Sequence, residues 1–416
     1  MLDDPELIKK VRKKFANIDA CPVYGERVFF ENAGGALTLK SVVETSTKYS
    51  GIPDNQGRDN PASKELDLVV SKGRKDAALF LNASSGQIFI GESGTELLFR
   101  MISEACLNSL NSGRIVGSSL EHPASRSAAK RWAQISGLEY VEVPHNNITG
   151  SVPAIDYEDH IDAQTVVATI IHTSPITGIS VDITAISNVI RKKAPNCFII
   201  VDGIQHAAHG NIDIDLYNID GYVISPYKVF SRHGFGIAWI SDRFSTIPHN
   251  RLQGSPENNW ELGTRDPGSF ASISNVVEYF EWLGEEIGGD SDRRTKILTA
   301  AGGIHEQEKI LTQALLYGTG NLKGLTELPN MHIIGGQNNP DREGLVSFYV
   351  EGLSSVDIVK HLEKQKIRVH IRKDDHYSGN ILKPLKRTDC VRISMCHYNT
   401  VQEVAKCLAA IAEISL

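Results

Sequence analysis

Three short polar clusters, each closing an apolar run, hold the residues of this chain best suited to chemistry. In YVISPYKVFSRHGFG (222–236) a run ends at Ser225, and Lys228 comes next in a loop before the following run. Burial between strands disfavours an ammonium, and the neutral amine it leaves attacks carbonyl carbons. In FIIVDGIQHAAHG (198–210) the run ends in Asp202, with Gln205 in the turn beyond. In GESGTELL (91–98), Gly94 and Thr95 stand where a strand passes into a helix, so free N–H groups and a hydroxyl make a phosphate site. Each cluster alone has a plainer reading: a surface lysine, an aspartate capping a turn, a βα turn capped by Ser93 or Thr95. In this order they make joint sense around pyridoxal 5'-phosphate (PLP). Lys228 would hold its aldehyde as a Schiff base, Asp202 would keep its ring nitrogen protonated, Gln205 would meet its phenolic oxygen, and Gly94 and Thr95 would take its phosphate.

The elements that must position these groups are legible as alternating runs. Strands are expected at Gln87–Gly91, Arg114–Ser118, Tyr140–Val143, Val166–His172, Phe198–Asp202, Gly221–Ser225 and Gly236–Ile240. Stretches of helical period lie between them: Thr95–Leu110, Ala124–Ile135 and Ala185–Lys193. Apolar strands alternating with helices predict an α/β fold with a mostly parallel seven-stranded sheet covered on both faces, its ligands at the strand C-termini. After about Trp282 the pattern changes. A charged helical region, Glu285–Leu316, precedes strands Met331–Ile334, Leu345–Val350, Arg368–Ile371 and Cys390–Met395, with helices Ser354–Gln365 and Val401–Ile414 among them. The last helix opens on a Thr400/Glu403 capping box. The expected division is a large domain at 25–290 and a small α+β domain made of 1–24 and 291–416.

At 416 residues the chain is long enough to bury a large core without disulfides. Net charge is −7 and charged residues make up 22%, with no long basic run, which argues against nucleic acid or membrane-surface partners. No apolar stretch reaches membrane-spanning length, and the N-terminal segment lacks a signal core, so a cytoplasmic location is expected. Six cysteines (21, 106, 197, 390, 396 and 407) lack metal-ligand spacing, and no metal is expected.

The motifs resemble the class V aminotransferases of PLP fold type I, and within them the cysteine desulfurase-like group. VDGIQ (201–205) and SPYK (225–228) are similar to the family's aspartate–glutamine and serine–x–x–lysine pair. EHPA (121–124) resembles the stretch whose histidine stacks on the ring, which here is His122. WELGT (260–264) resembles the segment in which Thr264 reaches the neighbouring subunit's cofactor. VRISMCHYNT (391–400) resembles the strand whose arginine binds the substrate carboxylate, here Arg392. The resemblance therefore implies a homodimer with composite active sites and a small amino acid as substrate. It also implies catalytic roles for Lys228, His122 and Asp202, and cofactor contacts from Ser225 and Tyr227. Arg58, in a polar loop ahead of the first large-domain helix, is a further candidate for substrate contact.

Three positions depart from the family pattern. The loop where desulfurases carry a sulfur-accepting cysteine reads RKDDHYSGNILKPLK (372–386) and has none. Pro175 stands where relatives have asparagine, leaving Gln205 as the main partner for the ring oxygen. Tyr227 replaces the histidine before the lysine, and its hydroxyl serves the phosphate or simply packs. C–S lyase or β-elimination chemistry, which needs no nucleophilic cysteine, is the expected reaction. Transamination and epimerisation use the same core residues, and a PLP-fold protein that binds without turnover is the alternative of another class. Cys390, two residues before Arg392, and Cys396 remain candidates for sulfur transfer.

Overall fold

Each of the seven runs becomes a strand of one sheet: β1 Gln87–Gly91, β2 Arg114–Ser118, β3 Glu139–Val143, β4 Thr165–Ile171, β5 Phe198–Asp202, β6 Gly221–Ile224 and β7 Gly236–Ile240. The structure is a computed structural model and describes residues 4–109 and 112–414. The spatial order is β1-β7-β6-β5-β4-β2-β3. Only β7 runs against its neighbours, antiparallel to both β1 and β6. The remaining pairs are parallel, so β1 to β6 deliver their C-termini to one edge.

Both faces of this sheet are covered, which is why its strands read as continuous apolar runs. Up to Tyr317 the longer helices are α1 Pro5–Lys14, α2 Lys40–Ser50, α3 Pro61–Leu81, α4 Gly94–Leu107, α5 Pro123–Ser136, α6 Ile183–Lys193, α7 Pro267–Gly288 and α8 Arg293–Tyr317. Phe198 and Ile200 of β5 point into a cluster with α4 and α5, while Ile199 and Val201 join the cluster of α3, α6 and α7. That is the two-residue period of a strand with two buried faces. Side chains set the helix starts: Ser93 Oγ accepts from Glu96 N–H at 3.1 Å, and Asp182 Oδ1 accepts from Ala185 N–H at 2.9 Å.

A second sheet, antiparallel throughout, contains β8 Met331–Ile334, β9 Leu345–Val350, β10 His370–Lys373 and β11 Asp389–Ser394 in the order β8-β9-β11-β10. Helices α9 Ser355–Lys364 and α10 Val401–Ala412 pack on it through Ile358, Leu362, Val404 and Leu408. The Thr400/Glu403 capping box opens α10.

Two expectations change. The strand expected at Arg368–Ile371 is split, because Ile367–Arg368 pair in parallel with Val28–Phe29 and the chain then turns at Val369 to pair with β11. The helical region Glu285–Leu316 breaks between α7 and α8, where Gly289 takes a φ of +81° and Asp292 caps the next helix. The expected helix end at Leu110 lies outside the described residues. No helix of the described residues is long and apolar enough to cross a membrane.

The turn ahead of α4 is packed against β7 with no space for a side chain. A Cβ on Gly236 would lie 2.5 Å from the Gly94 nitrogen and 2.5 Å from the Ser93 carbonyl carbon. Gly236→Ala is therefore expected to destabilise the protein by about 1–3 kcal/mol through overpacking. A lower urea midpoint with unchanged slope is the expected measurement, and an unchanged midpoint would refute the tight contact.

Candidate active site

Strands β5 and β6 are parallel neighbours, so the residues that end them meet at one sheet edge. One cleft there is lined by Thr95, His122, Asp202, Gln205, Ser225, Tyr227 and Lys228, together with Ile171, Thr173, Pro175 and Ile204. Gly94 opens α4 against this wall, where a Cβ would lie 2.4 Å from Ser225 Oγ. Of the residues singled out in the sequence, eight thus gather at one place. Thr264 and Arg58 do not. Thr264 is exposed in the loop before α7, and Arg58 is exposed in the loop before α3.

Asp202 is 3% exposed, and its Oδ1 accepts from Ile204 N–H at 3.1 Å. Burial raises its pKa, while Lys228 acts in the opposite sense. Lys228 opens half-buried onto the cleft, and its Nζ donates to Gln205 Oε1 at 3.1 Å. Burial lowers the lysine's pKa, Arg392 lowers it further, and Asp202 opposes them. The pair therefore sits closer to a shared neutrality than exposed Asp and Lys would.

His122 is the N-cap of α5, and its Nδ1 accepts from Ala124 N–H at 3.2 Å. That bond leaves the proton on Nε2, toward the cleft, in the neutral ring. Burial, followed by the charges of Lys228 and Arg372, lowers its pKa to about 3, so it is neutral at working pH. Glu121, next to it, accepts from Ile171 N–H at 2.9 Å and from Ser118 Oγ at 3.0 Å. Burial and then Asp202 push its pKa up to about 8. Through these two bonds Glu121 ties the ends of β2 and β4 together.

Arg392 reaches the cleft from the second sheet. Its Nη1 donates to the Pro175 carbonyl at 2.9 Å, and its buried Nε has no hydrogen-bond partner. An unpartnered guanidinium edge 2% exposed is arranged for an anion that the protein itself does not supply. Arg372 is a further site residue that the sequence did not single out. It pairs across β10 with Cys390, which lies two residues from Arg392 along β11. Its Nε donates to Ser378 Oγ at 2.7 Å, and it adds a second positive charge toward Lys228 and His122. The two-residue spacing of Cys390 and Arg392 was its only sequence signal, because cross-strand register is invisible in one strand.

The residues present fit PLP on the chemistry of their donor set. A deep carboxylate, an amine of lowered pKa, a free helix N-terminus with a hydroxyl and a neutral imidazole surround one cleft. The cysteines do not extend that set. Cys390 and Cys396 are fully buried, and burial pushes the Cys390 thiol up to about 12 and that of Cys396 upward as well.

A family model described as aminotransferase class-V matches residues 28–287 and 295–407. The cysteine desulfurase-like protein ustD of Aspergillus flavus is 27% identical over 94% of this chain and 88% of its own. A probable cysteine desulfurase of Pyrococcus abyssi is 24% identical over 94% of this chain and 95% of its own. Among solved structures, the cysteine desulfurase of Thermococcus onnurineus superposes with a TM-score of 0.80 at 22% identity, covering 98% of each chain. The cysteine desulfurase CsdA of Escherichia coli superposes with a TM-score of 0.76 at 20% identity, also over 98% of each chain. The fold is therefore the PLP fold type I expected from the sequence.

The thiols themselves offer a check. Cys21 is half-exposed, and hydrogen bonds from the Val23 and Tyr24 backbone lower its pKa. Brief iodoacetamide treatment of the native protein should alkylate Cys21 alone, read by peptide mass spectrometry. Early labelling of Cys390 or Cys396 would contradict their burial and reopen them as nucleophiles.

Proposed function

This chain belongs to the aminotransferase class-V family, and we propose that it is a PLP-dependent enzyme that transforms a small L-amino acid by C–S lyase or β-elimination chemistry. The observation that carries the reading is the meeting of Lys228, Asp202 and Gln205 in one cleft below an arginine with an unpartnered edge. When bound, PLP supplies an electron sink for the bond broken at the substrate's α-carbon.

The chain's own residues do the rest. The lowered pKa of Lys228 keeps a fraction of its amine neutral, the form that would hold PLP and act as a base at the substrate's α-carbon. Asp202 would hold a proton at PLP's ring nitrogen by charge. Neutral His122 offers a flat face for stacking, with Nε2–H toward the reacting centre. Arg392 forks onto the substrate carboxylate while its Nη1 stays tethered to Pro175. Ser225, Thr95 and the first turn of α4 receive the phosphate, and Tyr227 closes that side, its ring stacked on His233 at 4.3 Å.

The lyase reading rests on what stands in the loop after β10. His376, Tyr377 and Ser378 occupy it, with the Tyr377 ring 6.0 Å from that of His122, and it holds no thiol. Thr264 is exposed and outside its own cleft, which supports a homodimer in which it serves the partner's site. The exposed position of Arg58 gives it no contact in its own cleft, so a substrate role would also need the partner. A cytoplasmic location accords with the composition.

Two measurements test this. Incubation of holoenzyme with a panel of L-amino acids should give pyruvate and ammonia from a substrate with a β-leaving group. Keto acid limited to one equivalent per site would mean transamination, and inverted chirality would mean epimerisation. Lys228→Ala should lose the cofactor's absorption band and at least 10³-fold in rate, while Arg392→Lys should mainly raise KM, by roughly 10-fold or more. The rate of cofactor attachment should rise with pH through the lysine's depressed range and level off below the range of an ordinary lysine. A rate still climbing through the ordinary lysine range would refute the lowered pKa.

A further inference from the structure

Gln205 is held from both sides. Its Oε1 accepts from Lys228 Nζ at 3.1 Å, and its Nε2 lies 3.1 Å from His209 Nε2. His209 Nδ1 lies 2.8 Å from Glu308 Oε2, on α8. His209 is 3% exposed and Glu308 1%, and Glu308 Oε1 has no hydrogen-bond partner. Removing an imidazole and a carboxylate from water is costly. The chain of contacts leads to one place, the side-chain amide on the cleft floor.

The donor and acceptor roles along this chain are constrained. Burial pushes the Glu308 carboxyl up to about 7 and His209 opposes it; as the carboxylate, Glu308 only accepts, so His209 Nδ1 carries a proton and Nε2 decides the rest. With Nε2 bare, the imidazole accepts from the Gln205 amide NH2, and the amide oxygen faces Lys228, as the contacts stand. With Nε2 protonated, the imidazolium donates, and the amide must turn its oxygen to His209 and its NH2 to the cleft. What the cleft requires changes in the same way. A free lysine there is a donor and suits the amide oxygen, whereas a phenolic oxygen is an acceptor and needs the NH2. Pro175, on the same cleft wall, has no side-chain donor to offer instead.

We propose that His209, held by Glu308, is a positioning residue for the Gln205 amide, its protonated Nε2 taking the amide oxygen so that Gln205 donates into the cleft when PLP is bound. This rests on the proposed function, in which PLP occupies the cleft. The groups facing His209 are Glu308 from α8, Glu343 from the loop before β9, Cys396 and His397 after β11, His206 on its own turn, and Lys228 beyond Gln205. Burial opposes a charge on His209, but Glu308 and then Glu343 outweigh it and raise its pKa to about 9, with Lys228 acting against them. Cys396 is held as a thiol and His397 is neutral, so neither adds charge. Attachment of the cofactor consumes the Lys228 amine, which removes both the opposing charge and the donor that favours the unturned amide.

The test is the pH dependence of the holoenzyme's absorption band. A donor to the phenolic oxygen weakens that oxygen's hold on the proton it shares with the attached Lys228 nitrogen. Losing that donor raises the midpoint of the spectral change. Glu308→Gln keeps the shape and removes the charge, and should raise the midpoint by about one pH unit, the worth of one hydrogen bond. Gln205→Leu should do the same, and the double variant should move no further than either single one. ¹⁵N-histidine NMR gives the second measurement, in which the His209 Nε2 signal should be that of a protonated nitrogen in the wild-type holoenzyme and shift toward that of a bare one in Glu308→Gln. A band whose midpoint is unmoved in Glu308→Gln, additive shifts in the double variant, or a bare Nε2 in the holoenzyme would each overturn this inference alone. Absence of any band in the wild type would overturn it together with the proposed function.

Discussion

The arrangement of the cleft stems from one constraint, the cost of charge away from water. Asp202 ends a strand whose five residues are all buried, and Lys228 comes after the neighbouring strand, so two ionisable groups share a low-dielectric sheet edge. Each moderates the cost of the other, and the hydrogen bonds nearby are those the pair leaves open. Gly203 answers the same shortage of space, since a Cβ there would come within 2.1 Å of the Tyr222 ring. The turn that carries Gln205 can therefore lie directly on β6.

The second sheet is joined to the first by backbone as much as by side chains. The loop 173–179 docks on β9, with Ser347 Oγ donating to the Ile176 carbonyl at 2.6 Å and Glu343 N–H donating to Gly178 at 2.9 Å. Gly178 has a φ of +74°, and a Cβ there would lie 2.5 Å from the Leu345 carbonyl oxygen. Arg342 is buried beneath the junction and donates to the carbonyls of Thr177, Leu345, Ile334 and Gly336. This docking brings the Pro175 carbonyl to Arg392, and so a guanidinium from one sheet to the wall of the cleft that holds Lys228.

The sulfur of this chain lies away from the loop that meets the cleft. Its thiols near the site, Cys390 and Cys396, are buried, and burial keeps them protonated. The loop after β10 instead brings aromatic rings to the cleft, with His376 and Tyr377 in contact at 4.1 Å between centroids and Tyr377 toward His122. Ser378 anchors that loop to Arg372.

The parallel sheet, its strand limits and the gathering of Lys228, Asp202, Gln205 and Thr95 were legible in the sequence, because each depends on a local period and on the turn residues that close it. Strand ends could be read to within a residue or so where apolar runs met turn residues, as at Gln87–Gly91 and Phe198–Asp202. The break between α7 and α8 and the splitting of Arg368–Ile371 were not legible, since the first lies in a run of continuous helical composition and the second depends on which edge the chain pairs with. Arg372 and the His209–Glu308 pair were likewise hidden, their partners lying 18 residues away across a ladder and 99 residues away across the core. Lys228 is therefore a feature of the sequence by its place after a strand. Its lowered pKa, its hydrogen bond to Gln205 and the arginine above it are decided by tertiary structure, because desolvation and charge act through space and not along the chain.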